Sequence, residues 1–204
     1  MKLLGSLTSP FVRKIRITLA EKSIPFDMVI EDVWSPQSEI AKRNPLSKVP
    51  TLELDDGTVL YDSKMLSEAI EALHPLPALF PTDVMHRIHV RKLEALGDGV
   101  MEAAVAWFLE RKFHDESKRS EEWLKRQEAK ILRGCDAMEA LLADSASGFL
   151  HKGFSMADIC AGCALFYVDL RMPDLNWREG RPKLEAYAEL LGQRESFYST
   201  RPPV

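Results

Sequence analysis

The sequence predicts an α/β sandwich followed by an all-helical domain. Strand-like and helix-like apolar patterns alternate through residues 1–75, a proline-rich break runs from Pro75 to Pro81, and beyond it every apolar pattern has helical spacing. A chain of 204 residues has the volume for two small domains, each with its own core. The expected division is residues 1–75 for the α/β domain, 76–82 for a linker and 83–204 for the helical domain.

Lys2 to Leu7 read as a first strand. Val12, Ile15 and Leu19 follow at i, i+3 and i+7, so the pattern turns helical directly after Pro10. Ser9 is the natural N-cap and Pro10 the first helical residue, where a missing N–H costs nothing. Phe26, Met28 and Ile30 then alternate with Asp27, Val29 and Glu31, the period of a second strand. Strand, helix and strand in that order form a right-handed crossover with parallel strands. The loop after the first strand therefore opens at the carboxyl edge of the sheet, where α/β proteins bind ligands. Ser9 lies in that loop. A helix start carries about +0.5 elementary charge and unpaired N–H groups, so an anion is the ligand favoured beside it, although Ser-Pro also suffices merely to begin a helix.

Asp32 to Ser47 is irregular, broken by Trp34, Pro36, Asn44 and Pro45, with room for a short helix around Ser38 to Arg43. Two short apolar runs, within Lys48 to Leu54 and Val59 to Tyr61, flank Asp55-Asp56-Gly57-Thr58 and read as a β-hairpin, with Pro50 tolerable only at an edge or a strand start. Asp62-Ser63 opens a helix carrying Leu66, Ala69, Ile70 and Leu73 on one face, and His74-Pro75-Leu76-Pro77 stops it. In the helical half, Leu93 to Phe108 and Leu124 to Leu142 mark two long helices. Ser155-x-x-Asp158 is a capping-box variant that starts a third, and Leu184 to Leu191 and Glu195 to Thr200 give two shorter ones.

Composition narrows the function. The net charge is −4 with dispersed Lys and Arg, which argues against nucleic acid as a partner. No apolar run approaches the ~18 residues that would span a bilayer. Three cysteines, Cys135, Cys160 and Cys163, fit reduced thiols of a cytoplasmic protein better than a disulfide framework. The C-x-x-C of Cys160 and Cys163 lies among apolar residues and reads as buried packing. His86 and His89 share a helix face but have no further ligand at metal spacing in the sequence. They read as surface or interface residues, and no metal is expected.

Four stretches, in order, resemble the cytosolic glutathione transferase family, and specifically its serine-type members. They are Ser9-Pro10-Phe11 with Arg13 and Lys14; Asn44 to Leu52; Asp62-Ser63 with Ile70; and Gly153 to Asp158. Arg181-Pro182-Lys183-Leu184 and Arg201-Pro202 are similar to the family's tail. The resemblance covers essentially the whole chain. It implies a thioredoxin-like N-terminal domain, an all-α C-terminal domain, and a homodimer that uses glutathione as co-substrate without another cofactor.

Residue by residue, the resemblance makes Ser9 the catalytic hydroxyl that holds the glutathione sulfur as a thiolate, with Phe11 beside it. Val49 would pair through its main chain with the cysteinyl backbone, Pro50 would be the family's cis-proline, and Lys48 would stand near the glycyl carboxylate. Ser63 would cap the helix that takes the γ-glutamyl carboxylate, and Asp62 would face the γ-glutamyl amine. Trp107 and Phe108 are candidates for the pocket of a small hydrophobic electrophile, with packing in the core the favoured alternative for both. The rival readings are a non-catalytic binding module of the same fold and a glutathione-dependent thioltransferase or peroxidase. The thioltransferase reading lacks a cysteine at Ser9 or Val12, and Thr8 is a neighbouring hydroxyl able to replace Ser9.

Overall fold

The computed structural model describes residues 1–203. In chain order its elements are β1 (Lys2–Gly5), α1 (Pro10–Glu21), β2 (Asp27–Ile30), a 3-10 turn (Ile40–Lys42), β3 (Thr51–Glu53), β4 (Val59–Tyr61) and α2 (Ser63–Leu73). They continue with α3 (Val84–Phe113), a second 3-10 turn (Glu116–Lys118), α4 (Glu121–Ala143), α5 (Met156–Arg171), α6 (Pro182–Gly192) and α7 (Glu195–Tyr198). These form two compact units, Met1–Leu79 with Arg194–Val204, and Phe80–Gln193.

The first unit is a four-stranded mixed sheet in the order β2-β1-β3-β4. β1 runs parallel to β2, with Leu3 opposite Met28, and antiparallel to β3, with Leu3 opposite Leu52. The parallel pair requires the α1 crossover, whereas β3 and β4 are joined by a tight hairpin whose Gly57 takes φ +85°. The apolar face of α1 (Val12, Ile15, Leu19) and that of α2 (Leu66, Ile70) close on Leu3 and Leu52 to make the core. The end of β1 lies hard against α1. A Cβ at Gly5 would fall 2.5 Å from Val12 Cγ2, so glycine is what lets strand and helix meet there.

Two polar devices complete this unit. The Lys22 side chain is fully buried at the end of α1; its ammonium pairs with Glu71 Oε2 at 2.7 Å and donates to the carbonyls of His74 (2.8 Å) and Pro77 (2.7 Å). The last residues of the chain, expected in the helical domain, instead belong with the first unit. Arg13 donates to the Phe197 carbonyl at 3.0 Å, Arg16 to the Thr200 carbonyl at 3.1 Å, and Arg194 forks onto Glu21 at 2.6 and 2.7 Å.

The second unit is built around α5, buried along nearly its whole length, as its all-round apolar sequence requires. α3 crosses it at Gly97, where a Cβ would sit 2.7 Å from Cys160 Cβ and 2.8 Å from its carbonyl carbon. Cys160 and Cys163 are fully buried in this packing. The start of α5 is pinned by Asp158. Its Oδ2 accepts from Ser155 N (2.8 Å) and Ser155 Oγ (3.0 Å), and its Oδ1 from Leu150 N (2.9 Å) and Tyr187 Oη (2.6 Å). Burial outweighs these four donors and holds the Asp158 carboxyl above its ordinary range. No helix among the described residues is long and apolar enough to cross a membrane.

Candidate active site

The carboxyl edge of β1 leads through Ser6 to Ser9 into α1, as the period switch predicts. Ser9 is the N-cap in extended conformation, with ψ 126°, and its Oγ accepts from Val12 N at 3.4 Å. Serving as acceptor there leaves the hydroxyl proton free, and Ser9 has no other side-chain partner among the described residues. Thr8 is differently placed: its Oγ1 shares a hydrogen bond with Ser6 Oγ at 3.1 Å. Phe11 follows in the first turn, half-buried.

The segment before β3 supplies a second polar edge. Asn44 is buried; its Nδ2 donates to the Lys48 carbonyl at 2.8 Å and its Oδ1 accepts from Leu46 N at 3.0 Å, so one amide side chain holds both ends of the loop. Thr51 Oγ1 donates to the same Lys48 carbonyl at 3.1 Å. In the sequence Asn44 stands before Pro45 in an irregular stretch, which marks a turn but not the clamp. Val49-Pro50 is a cis peptide bond. The N–H and C=O of Val49 take no hydrogen-bond partner among the described residues, so a half-buried stretch of backbone has both polar groups unpaired within the chain. Lys48 is exposed, and its ammonium has no ion-pair partner among the described residues.

At the start of α2 the structure corrects one expectation. Asp62, not Ser63, is the N-cap: its Oδ1 accepts from Lys64 N at 2.9 Å. Asp62 adopts φ +72°, a left-handed conformation that a non-glycine residue takes at a cost. Ser63 is the first helical residue; it is buried, and its hydroxyl makes no hydrogen bond among the described residues. Four first-turn N–H groups have no intrahelical acceptor, and a carboxylate is the natural occupant of such an end.

Ser9, Phe11, Lys48, Val49, Pro50, Asp62 and Ser63 all lie in the first unit, at the start of α1, on the loop before β3 and at the start of α2. Trp107 and Phe108 lie in the second unit, on α3. Neither is a core residue: both are half-buried. Trp107 Nε1 donates to Glu128 Oε1 at 2.9 Å, and the guanidinium of Arg171 lies 4.1 Å from the Phe108 ring centre. The helical period placed them near the core stripe, but the polar indole nitrogen and the cation over Phe108 keep that face partly wet.

Comparison with known proteins agrees with this fold. Residues 8–73 match the family model of the glutathione S-transferase N-terminal domain, and residues 121–190 that of its C-terminal domain. The chain is 40% identical over 204 residues to the uncharacterized GST-like protein YibF of Escherichia coli (strain K12), covering 100% of this chain and 99% of that one. It is similar to the glutathione S-transferase of Methylobacterium radiotolerans in complex with glutathione sulfonate, with a TM-score of 0.93 and 37% identity, over 100% of this chain and 95% of that one. The glutathione S-transferase of Methylobacillus flagellatus with glutathione bound gives a TM-score of 0.93 and 39% identity, over 99% of both chains. A small mixed-sheet domain followed by an all-helical one and these matches lead to one conclusion: the chain belongs to the glutathione transferase family.

Proposed function

We propose that this protein is a serine-type glutathione transferase, which activates the glutathione thiol through Ser9 for attack on small hydrophobic electrophiles. The observation that carries this reading is that Ser9 Oγ accepts from Val12 N and so has its proton left to donate, at a helix start that already favours negative charge. A free thiol of pKa ~8.5 is only a few per cent ionised at neutral pH, and each unit of lowering corresponds to about 1.36 kcal/mol of preference for the thiolate. One charge-assisted hydrogen bond is of that size.

Around the sulfur, the unpaired Val49 backbone would pair with the cysteinyl main chain as an added strand. The start of α2, with the Ser63 hydroxyl, would hold the γ-glutamyl carboxylate; Asp62 would face its amine and Lys48 the glycyl carboxylate, with Phe11 beside the tripeptide. Pro50 fixes the turn that presents Val49. Trp107 and Phe108 are the proposed aromatic contacts of the electrophile. A mixed-disulfide mechanism on the protein's own thiol has less support, because Cys135, Cys160 and Cys163 are all buried. We place the enzyme in the cytoplasm as a detoxifying homodimer, a reading that rests on its family membership and on three cysteines that form no disulfide.

The test is Ser9→Ala. The apparent pKa of bound glutathione, read from thiolate absorbance, should rise by about 1–2 units, and kcat/KM for an aryl halide at mildly acid pH should fall about 10–100-fold. An unchanged thiolate titration would move the role to Thr8 or to the backbone N–H groups of α1. Glutathione binding without turnover of any electrophile would favour the non-catalytic module.

A further inference from the structure

In the second unit Arg171 closes α5 one turn after Tyr167, and its guanidinium lies 4.1 Å from the Phe108 ring centre and 5.9 Å from that of Tyr167. Its Nε is buried without a hydrogen-bond partner, and the guanidinium forms no ion pair with a carboxylate among the described residues. A buried donor left unpaired is uncommon and costly. The carbonyl end of α5 accounts for a cation at this position, but not for an orphaned Nε–H. Arg178, farther along the chain, shows the usual outcome: its two terminal nitrogens fork onto Asp169 at 2.7 and 2.8 Å.

The surroundings favour negative charge. Arg111 lies 4.7 Å from the Trp107 ring centre and Lys112 Nζ 6.0 Å from that of Phe108, so with Arg171 three cations meet these two aromatic side chains. The carboxylates at this end of α3 are engaged: Glu128 accepts from Trp107 Nε1 at 2.9 Å and Glu110 from Ser120 N at 3.0 Å. Burial raises the Tyr167 hydroxyl above its ordinary range, against the pull of the Arg171 charge, so it stays protonated and able to donate.

We propose that Arg171 is the anion subsite of the electrophile pocket and selects electrophiles that carry a carboxylate beside an aromatic or apolar body. This deepens the transferase reading and rests on it for the roles of Trp107 and Phe108. Nε and one terminal nitrogen form one edge of a guanidinium, and a carboxylate on that edge receives two parallel hydrogen bonds. The Arg171 side chain as a whole is only half-buried, so an anion can approach it, and Nε–H becomes paired when that anion takes the Nε edge. The rings of Phe108 and Trp107 then meet the body of the same ligand, so apolar burial and charge pairing act together.

The first measurement is the Nε–H resonance of Arg171 in the unmodified full chain, assigned through its own side chain, during addition of para-nitrobenzoate or of the neutral para-nitrobenzamide. The benzoate at millimolar concentration should move it to lower field, as a new charge-assisted hydrogen bond requires, and the benzamide should not. The second is turnover of para-chloro-meta-nitrobenzoate against its amide, whose ratio of kcat/KM cancels intrinsic reactivity when two proteins are compared. Arg171→Met should lower that ratio at least about tenfold, with the loss falling on KM for the benzoate. An Nε–H resonance that ignores the benzoate or answers both compounds alike, or a ratio within about twofold of that of the unmodified protein, would overturn the proposal. A resonance that responds to the benzoate while neither halide is turned over keeps the anion site at Arg171 and strikes the transferase reading. Turnover of the amide with a resonance that ignores the benzoate does the reverse.

Discussion

Replacing Asp158 by alanine should cost the second unit about 3–6 kcal/mol. The carboxylate accepts from Leu150 N, Ser155 N, Ser155 Oγ and Tyr187 Oη at 2.6–3.0 Å, and the first two N–H groups and the tyrosine hydroxyl are buried with it. Alanine leaves those three donors unsatisfied at about 1–2 kcal/mol each, a large part of the ~5–15 kcal/mol that holds a domain folded. Urea unfolding followed by circular dichroism measures the loss, and Tyr187→Phe, which removes one donor and strands none, should cost only about 1 kcal/mol. The pH dependence has a definite sign. Burial raises the folded pKa of Asp158 above 3.8, so between 3.8 and that higher value the folded chain binds more protons than the unfolded one. The stability that Asp158 contributes is therefore fully present below pH 3.8 and shrinks as pH rises through the folded pKa. The deficit of Asp158→Ala should be larger in mild acid than at neutral pH. A loss below about 1 kcal/mol, or a deficit that grows as pH rises, would refute the assignment of Asp158 as the buried acceptor on which the start of α5 depends.

Two further outcomes follow from buried groups. Lys22→Met should destabilise the first unit by about 3–5 kcal/mol, because it removes the ammonium that Glu71 meets at 2.7 Å inside the protein; Lys22→Met with Glu71→Gln should recover part of the loss in a double-mutant cycle. Burial pushes the Cys135 thiol up to about 12, so a thiol-specific disulfide reagent at pH 8 should leave it unmodified in the native protein and react with it only on unfolding.

Much of the architecture was readable because it is periodic. The switch from alternation to i, i+3, i+7 spacing at Pro10 and the apolar stripes of α2 to α6 are repeating signals that a core demands of any sequence. What escaped was carried by single contacts. The return of the tail to the first unit depends on Arg13, Arg16 and the Glu21–Arg194 fork, and isolated charges on two distant segments have no period to reveal them. The choice of Asp62 over Ser63 as cap turns on one left-handed backbone angle. His151 sits in a loop, so only folding brings it beside His86 and His89. At the candidate site the capping position of Ser9 was legible, while the clamp by Asn44 was not, since an asparagine bonding its own loop looks like any other turn former.

The tail clamp also governs the order in which this molecule can be made. On the ribosome, residues 1–79 emerge first, yet Arg13 and Glu21 reach their partners only when the last eleven residues have been synthesised. The nascent N-terminal segment therefore lacks these tail contacts while the helical unit between them is translated and folds. A fragment ending before Arg194 inherits that unfinished state permanently.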